Sequence, residues 1–197
     1  ALGSGRAAFV GTSRGGLILH VMAAIRPELL AAVVLNDIGP VVEAEGLALI
    51  VAYLTRRDGG RLADFEAAAA LQRRVHVEAF PALTDDDWLR MAHALYRQTA
   101  DGVVPDFDPA LLNTLTAFDP ARPMPVLWQQ FDAMRGVPMM VIRGENSRLL
   151  SVETVQEMTA RHPGLEAVTA AGQGHAPLLE TAGLAQRIER FAEAAVG

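Results

Sequence analysis

The chain has 197 residues, 17 basic and 23 acidic, with a formal charge of −6 and 51% apolar content, which suits one globular domain or one domain carrying an insertion. Every basic residue is arginine and cysteine is absent, so lysine Schiff-base chemistry, a phosphate-loop lysine, thiolate catalysis, disulfides and cysteine-ligated metals are excluded. Scattered arginines on an acidic chain give no footprint for nucleic acid, and the apolar runs fall far short of the roughly 20 residues that cross a bilayer. No signal peptide is visible after Ala1, and the expectation is a cytoplasmic protein with neither membrane nor nucleic-acid partners.

In chain order, residues 7–10 form a short apolar run that reads as a buried strand, and a glycine-rich turn follows it. Residues 15–25 have helical character and close before Pro27, and 32–35 read as a second strand, so the first segment is a right-handed βαβ crossover. From about 41 to 135 the pattern changes to helix-like stretches at 42–56, 62–72, 85–98 and 109–116, with no convincing strand between them. Thr84-Asp85-Asp86-Asp87 is a strong helix start, a threonine cap followed by acids that the helix dipole favours. The α/β pattern then resumes with a strand at 139–142, a helix at 152–161, a weaker strand at 165–169 and a helix at 182–194. The expected fold class is therefore α/β with a parallel sheet. Residues 1–40 and 136–197 make the core, and 41–135 form an inserted helical cap over its active face.

Between the first strand and helix stands Gly11-Thr12-Ser13-Arg14-Gly15-Gly16, a G-x-S-x-G nucleophile elbow in the strand–turn–helix setting the motif requires. A serine on so tight a turn needs neighbours without Cβ, because strand and helix backbones approach closely there. The turn presents the Ser13 hydroxyl at the end of the sheet and leaves the Arg14 backbone N–H free as an oxyanion donor. Of the five histidines, only His175, in Gly172-Gln173-Gly174-His175, lies in a glycine-flexed loop after a strand, where an imidazole can reach a serine on another strand's end.

From Gly5 to its end the chain resembles the C-terminal two-thirds of an α/β-hydrolase-fold protein, on Phe9 through Gly16, Val34-Leu35-Asn36-Asp37-Ile38-Gly39-Pro40, Val141 through Ser147, and Gly174-His175-Ala176-Pro177 in that order. The resemblance implies strands five to eight of that fold with its cap. It also implies a serine hydrolase acting on a small carboxylic ester, or a related acyl or carbon–carbon bond, with a small-molecule substrate and no cofactor.

Two departures from the family pattern shape the expectations. The leading strands and the loop that carries a second oxyanion donor have no counterpart, so strand 7–10 is expected to present an apolar edge. An upstream segment would cover that edge, as would self-pairing in a homo-oligomer. The position where the family commonly has its acid is Arg148, and an arginine cannot orient a histidine. Asp37, after the second strand, is the preferred acid, a placement known in the haloalkane dehalogenase branch of this fold, with Glu145 as the alternative. Asp37 also reads as a turn residue with Asn36 and Gly39. The rival to an enzyme is a hydrolase-fold small-molecule binding protein, or a truncated fragment, with the chemistry lost.

Other features are set aside. Residues 3–8 match a dinucleotide fingerprint but precede a strand. Asp85-Asp86-Asp87, Asp106 and Asp108 lack calcium-loop spacing, and His76-Val77-Glu78 lacks further zinc ligands. Trp88 and Trp128 read as core rather than as the lining of an acyl pocket.

Overall fold

The computed structural model describes residues 5–55, 60–108, 110 and 124–196. In chain order its elements are β1 (Ala7–Thr12), α1 (Arg14–Ile25), β2 (Leu30–Asn36), α2 (Ala44–Thr55), α3 (Phe65–His76), α4 (Asp85–Leu95), β3 (Tyr96–Thr99), β4 (Gly102–Pro105), α5 (Trp128–Asp132), β5 (Met139–Gly144), α6 (Val152–Arg161), β6 (Leu165–Ala170) and α7 (Leu184–Val196). The chain divides into two compact units, one formed by Ala1–Gly46 with Met124–Gly197 and the other by Leu47–Pro123. The helix expected over 109–116 lies, but for Ala110, outside the described residues.

The first unit is built on a parallel sheet of order β1-β2-β5-β6. Every residue of β2 is buried, and β5 is buried at all positions but one. Such unbroken apolar strands form where helices cover both faces of a parallel sheet. With a side-chain period of two, Val34 faces one side and Leu35 the other. On the first side Val34, Met140, Ile142 and Val168 pack with Leu184 of α7, and Ile188 and Phe191 close over them. On the other side Leu35 lies against Gly16 of α1, and α1 in turn packs on α5, where His20 stacks on Phe131. β1 is an edge strand, hydrogen-bonded to β2 alone among the described residues, and Val10 on it is 50% exposed.

The second unit corrects the expectation of an all-helical block. α4 starts as expected, with Thr84 capping Asp87 N–H and Asp87 capping Thr84 N–H in return. It stops at Leu95, three residues before the expected end, because the chain turns into an antiparallel hairpin of β3 and β4. Thr99 pairs with Gly102 across the turn, and Gly102 has φ 124, a conformation that favours glycine. Leu62, expected as the first residue of a helix, instead bridges to Val103 beside the hairpin, and α3 begins at Phe65. Trp88 is buried edge-on against Phe80 and belongs to this unit's core.

Candidate active site

The parallel strands place three chain segments at one end of the sheet. Ser13 follows β1, Asp37 follows β2, and His175 lies in the loop after β6. Ligand sites of parallel α/β sheets form at this carboxyl end.

Ser13 occupies the N-cap of α1 with φ 51 and ψ −118, in a region that non-glycine residues rarely enter. A serine at this position ordinarily caps the helix with its hydroxyl. Here it makes no capping bond, and its hydroxyl lies 3.0 Å from His175 Nε2. Two glycines make the turn feasible. A Cβ on Gly11 would lie 2.7 Å from the Gly16 nitrogen, and one on Gly16 would run into Ile38 Cγ2. A Cβ on Gly15 would meet nothing within 4 Å among the described residues, so the crowding at the elbow falls on Gly11 and Gly16, and the expectation for Gly15 is corrected.

Asp37, fully buried and at φ 54, would be costly as an uncompensated carboxylate. Three donors converge on it. Gly144 N–H donates to Oδ1 at 2.8 Å, while the Ser147 hydroxyl at 2.6 Å and His175 Nδ1 at 2.8 Å donate to Oδ2. Because a carboxylate only accepts, the His175 tautomer is fixed with its proton on Nδ1, and Nε2 is left to accept from Ser13. Ser147 Oγ also accepts from the N–H groups of Leu149 and Leu150, each at 3.2 Å, which turns its own proton towards Asp37. The loop holding Ser147 is drawn in by Arg143, whose guanidinium donates to the carbonyls of Leu150, Glu145 and Ser147.

The structure thus brings Ser13, His175 and Asp37 into one hydrogen-bonded line. Glu145 is not part of it. Its carboxylate accepts from Gly172 N–H at 2.6 Å and fastens the turn that leads to the histidine loop. Arg148 is exposed and pairs with Glu45 at 2.9 Å. The Arg14 N–H, in the first turn of α1, has no acceptor within the helix. Among the described residues, no group of three or more histidines and acids is arranged to hold a metal.

Further residues of the site were not singled out by sequence. Asn36 is buried, and its amide donates both to Thr12 Oγ1 and to the Pro177 carbonyl, at 3.1 Å each, so one side chain ties the residue before Ser13 to the segment after His175. Gln173, also buried, accepts from Leu178 N–H and donates to Thr181 Oγ1, and so clips the histidine loop at its far side. Gly144 allows a close approach, since a Cβ there would lie 2.5 Å from the Gly174 carbonyl oxygen and 2.6 Å from that of Gln173. The sequence carried a signal for Ser147, a hydroxyl in the loop where the family commonly places its acid, and none for the long-range partners of Asn36.

No family model matches the chain. It is similar to the 3-hydroxybutyrate-oligomer hydrolase of Cupriavidus necator, 33% identical over 174 residues that make up 85% of this chain. The chain spans 58% of that relative's length. Among solved structures it is similar to an α/β hydrolase from Novosphingobium aromaticivorans, with 35% identity, a TM-score of 0.85, and coverage of 97% of this chain and 66% of that one. At 22% identity it shares a fold with E-2-(acetamidomethylene)succinate hydrolase, with a TM-score of 0.72 over 98% of this chain and 67% of that one. An esterase from Mycobacterium tuberculosis, also 22% identical, matches with a TM-score of 0.62 over 98% of this chain and 62% of its own.

Proposed function

We propose that this chain, which belongs to the α/β-hydrolase superfamily, hydrolyses a small carboxylic ester through Ser13, His175 and Asp37. The observation that carries the reading is the line from Ser13 Oγ through both nitrogens of His175 to a buried carboxylate, with the serine hydroxyl withheld from helix capping. Ser13 Oγ attacks the ester carbonyl while His175 Nε2 takes its proton. Asp37 holds the imidazole in the required tautomer and stabilises the imidazolium that forms. Negative charge develops on the carbonyl oxygen near the N-terminus of α1, where the Arg14 N–H donates to it. His175 then returns the proton to the departing alcohol, leaving an acyl-serine, and activates the water that releases the acid. The name of the Cupriavidus necator relative points to esters of hydroxy acids as the substrate class.

The test is the intact mass of the protein after treatment with a fluorophosphonate, with Ser13→Ala alongside, together with turnover of a short-chain p-nitrophenyl ester. An adduct and turnover seen in the wild type and lost in Ser13→Ala are the expected results. A folded wild-type protein that takes up no probe and turns over no ester would leave the binding-protein reading in its place.

A further inference from the structure

We infer that Arg14 recognises a carboxylate on the substrate, so that the ester cleaved at Ser13 belongs to a molecule with a free carboxyl end. The inference rests on the ester-hydrolase reading above and names the substrate class it would take.

Arg14 is the first residue of α1 and the direct neighbour of Ser13, about 3.8 Å away between Cα atoms. Its side chain is exposed, and it has no ion pair or hydrogen bond among the described residues. Arg135 and Arg190 of the same unit are likewise exposed and unpaired among the described residues, but neither adjoins Ser13, and three others are committed. Arg148 holds Glu45, Arg161 holds Asp132 and Glu157, and Arg187 holds Glu166.

The position is also electrostatically unfavourable. A helix N-terminus carries partial positive charge and is stabilised by acids, whereas α1 has no acid in its first turn and presents a guanidinium there. Two positive potentials therefore overlap beside the nucleophile, in a chain whose overall charge is −6, and Arg14 forms no ion pair among the described residues to balance them. An anion from outside would satisfy both. The fork of a guanidinium matches a carboxylate bidentately. Asp37 cannot serve as that anion, because its oxygens are already taken by Gly144, Ser147 and His175.

An ester whose alcohol part ends in a carboxylate fits this arrangement. Its carbonyl sits at Ser13 Oγ, and its carboxylate lies a few bonds away over Arg14. Hydrolysis then releases the terminal hydroxy acid from the carboxyl end of the substrate, with Arg14 holding the departing group.

The experiment compares 3-acetoxybutanoate with 3-acetoxybutanamide, which share the scissile acetate ester and differ only in ending in a carboxylate or a neutral amide. kcat/KM is measured for both with wild type, Arg14→Gln and Arg14→Lys, all of which keep the backbone N–H. The wild type is expected to prefer the carboxylate by tenfold or more, with a preference that weakens as salt is raised. Arg14→Gln should lose at least tenfold of that ratio, and Arg14→Lys should retain part of it. A wild type that hydrolyses both compounds equally, or an Arg14→Gln protein that keeps the wild-type ratio, overturns the inference and leaves the ester-hydrolase reading standing. If the wild type hydrolyses neither compound and takes no fluorophosphonate, the ester-hydrolase reading fails and this inference fails with it.

Discussion

Thr12 and Asn36 are register partners at the last positions of β1 and β2, so the residues that follow them, Ser13 and Asp37, leave the sheet side by side. Both then take positive φ, 51 and 54, and the Asn36 carbonyl accepts Ser13 N–H at 3.1 Å. An acid adjacent in register to the serine leaves the imidazole to span a short gap across one sheet end. The loop after β5 contributes donors to that acid and need not contribute a carboxylate of its own.

This placement separates the two candidate acids experimentally. Asp37→Asn should lower kcat for ester hydrolysis by about 10³–10⁴-fold, as expected when the histidine tautomer is lost. Glu145→Gln, which keeps an acceptor for Gly172 N–H, should stay within a few-fold of wild type. Ser147→Ala removes one charge-assisted hydrogen bond and should cost about tenfold or more. Steady-state kinetics on the three variants, each checked for folding by a thermal melt, decides the matter, and equal losses in Asp37→Asn and Glu145→Gln would refute the assignment.

Asn36→Ala should slow both fluorophosphonate labelling and kcat, by about tenfold or more, while KM changes little. It frees the histidine loop from the serine strand without touching any reacting atom, and each lost hydrogen bond from its amide is worth about 1 kcal/mol of positioning and stability. A purely structural role would lower the melting temperature and leave the labelling rate of the folded protein unchanged.

The elbow glycines should respond unequally. Gly15→Ala adds a methyl to open space within a helix and should stabilise by about 0.5–1 kcal/mol. Gly16→Ala forces Ile38 aside in a packed core and should destabilise by about 1–3 kcal/mol. Urea unfolding midpoints measure both, and a stabilised Gly16→Ala would show that the elbow has slack.

Burial pushes the His20 pKa below its ordinary value of 6.5. Its Nδ1–H donates to the Gly16 carbonyl at 2.7 Å, and Nε2 is buried without a partner among the described residues. The folded protein therefore resists binding a proton that the unfolded chain accepts near pH 6.5, so stability should fall as pH drops below that value, by up to about 1.4 kcal/mol per pH unit. His20→Leu should flatten this slope when melting is followed from pH 7.5 to 5. His76, also held below its ordinary value by burial, keeps part of the slope in that variant.

The residues legible from sequence were those whose chemistry is local. The elbow around Ser13 is written as a strand, a glycine-rich turn and a helix within residues 7–25, and His175 stands among glycines that let it reach. Asp37 is reached only through the resemblance, from Arg148 at the usual acid position and the acid placement of the haloalkane dehalogenase branch, because its three donors come from positions 107, 110 and 138 residues further along the chain. Asn36 reads from sequence only as a turn former, since its partner Pro177 lies 141 residues away. The β3–β4 hairpin was hidden because the periodicity of α4 runs towards Gln98, although Asp101-Gly102 followed by Val103-Val104 is a hairpin signal in its own right.

Gly144 acts as a spacer between acid and base. It donates its N–H to the acid on one side and, lacking a side chain, lets the carbonyls of Gln173 and Gly174 settle against it on the other. The reach of the imidazole is thereby set by the thickness of a bare backbone, a dimension that does not vary with which apolar residues fill the sheet around it. Neighbouring positions can drift in sequence with the catalytic gap unchanged, whereas the smallest addition at this one point would pry base from acid.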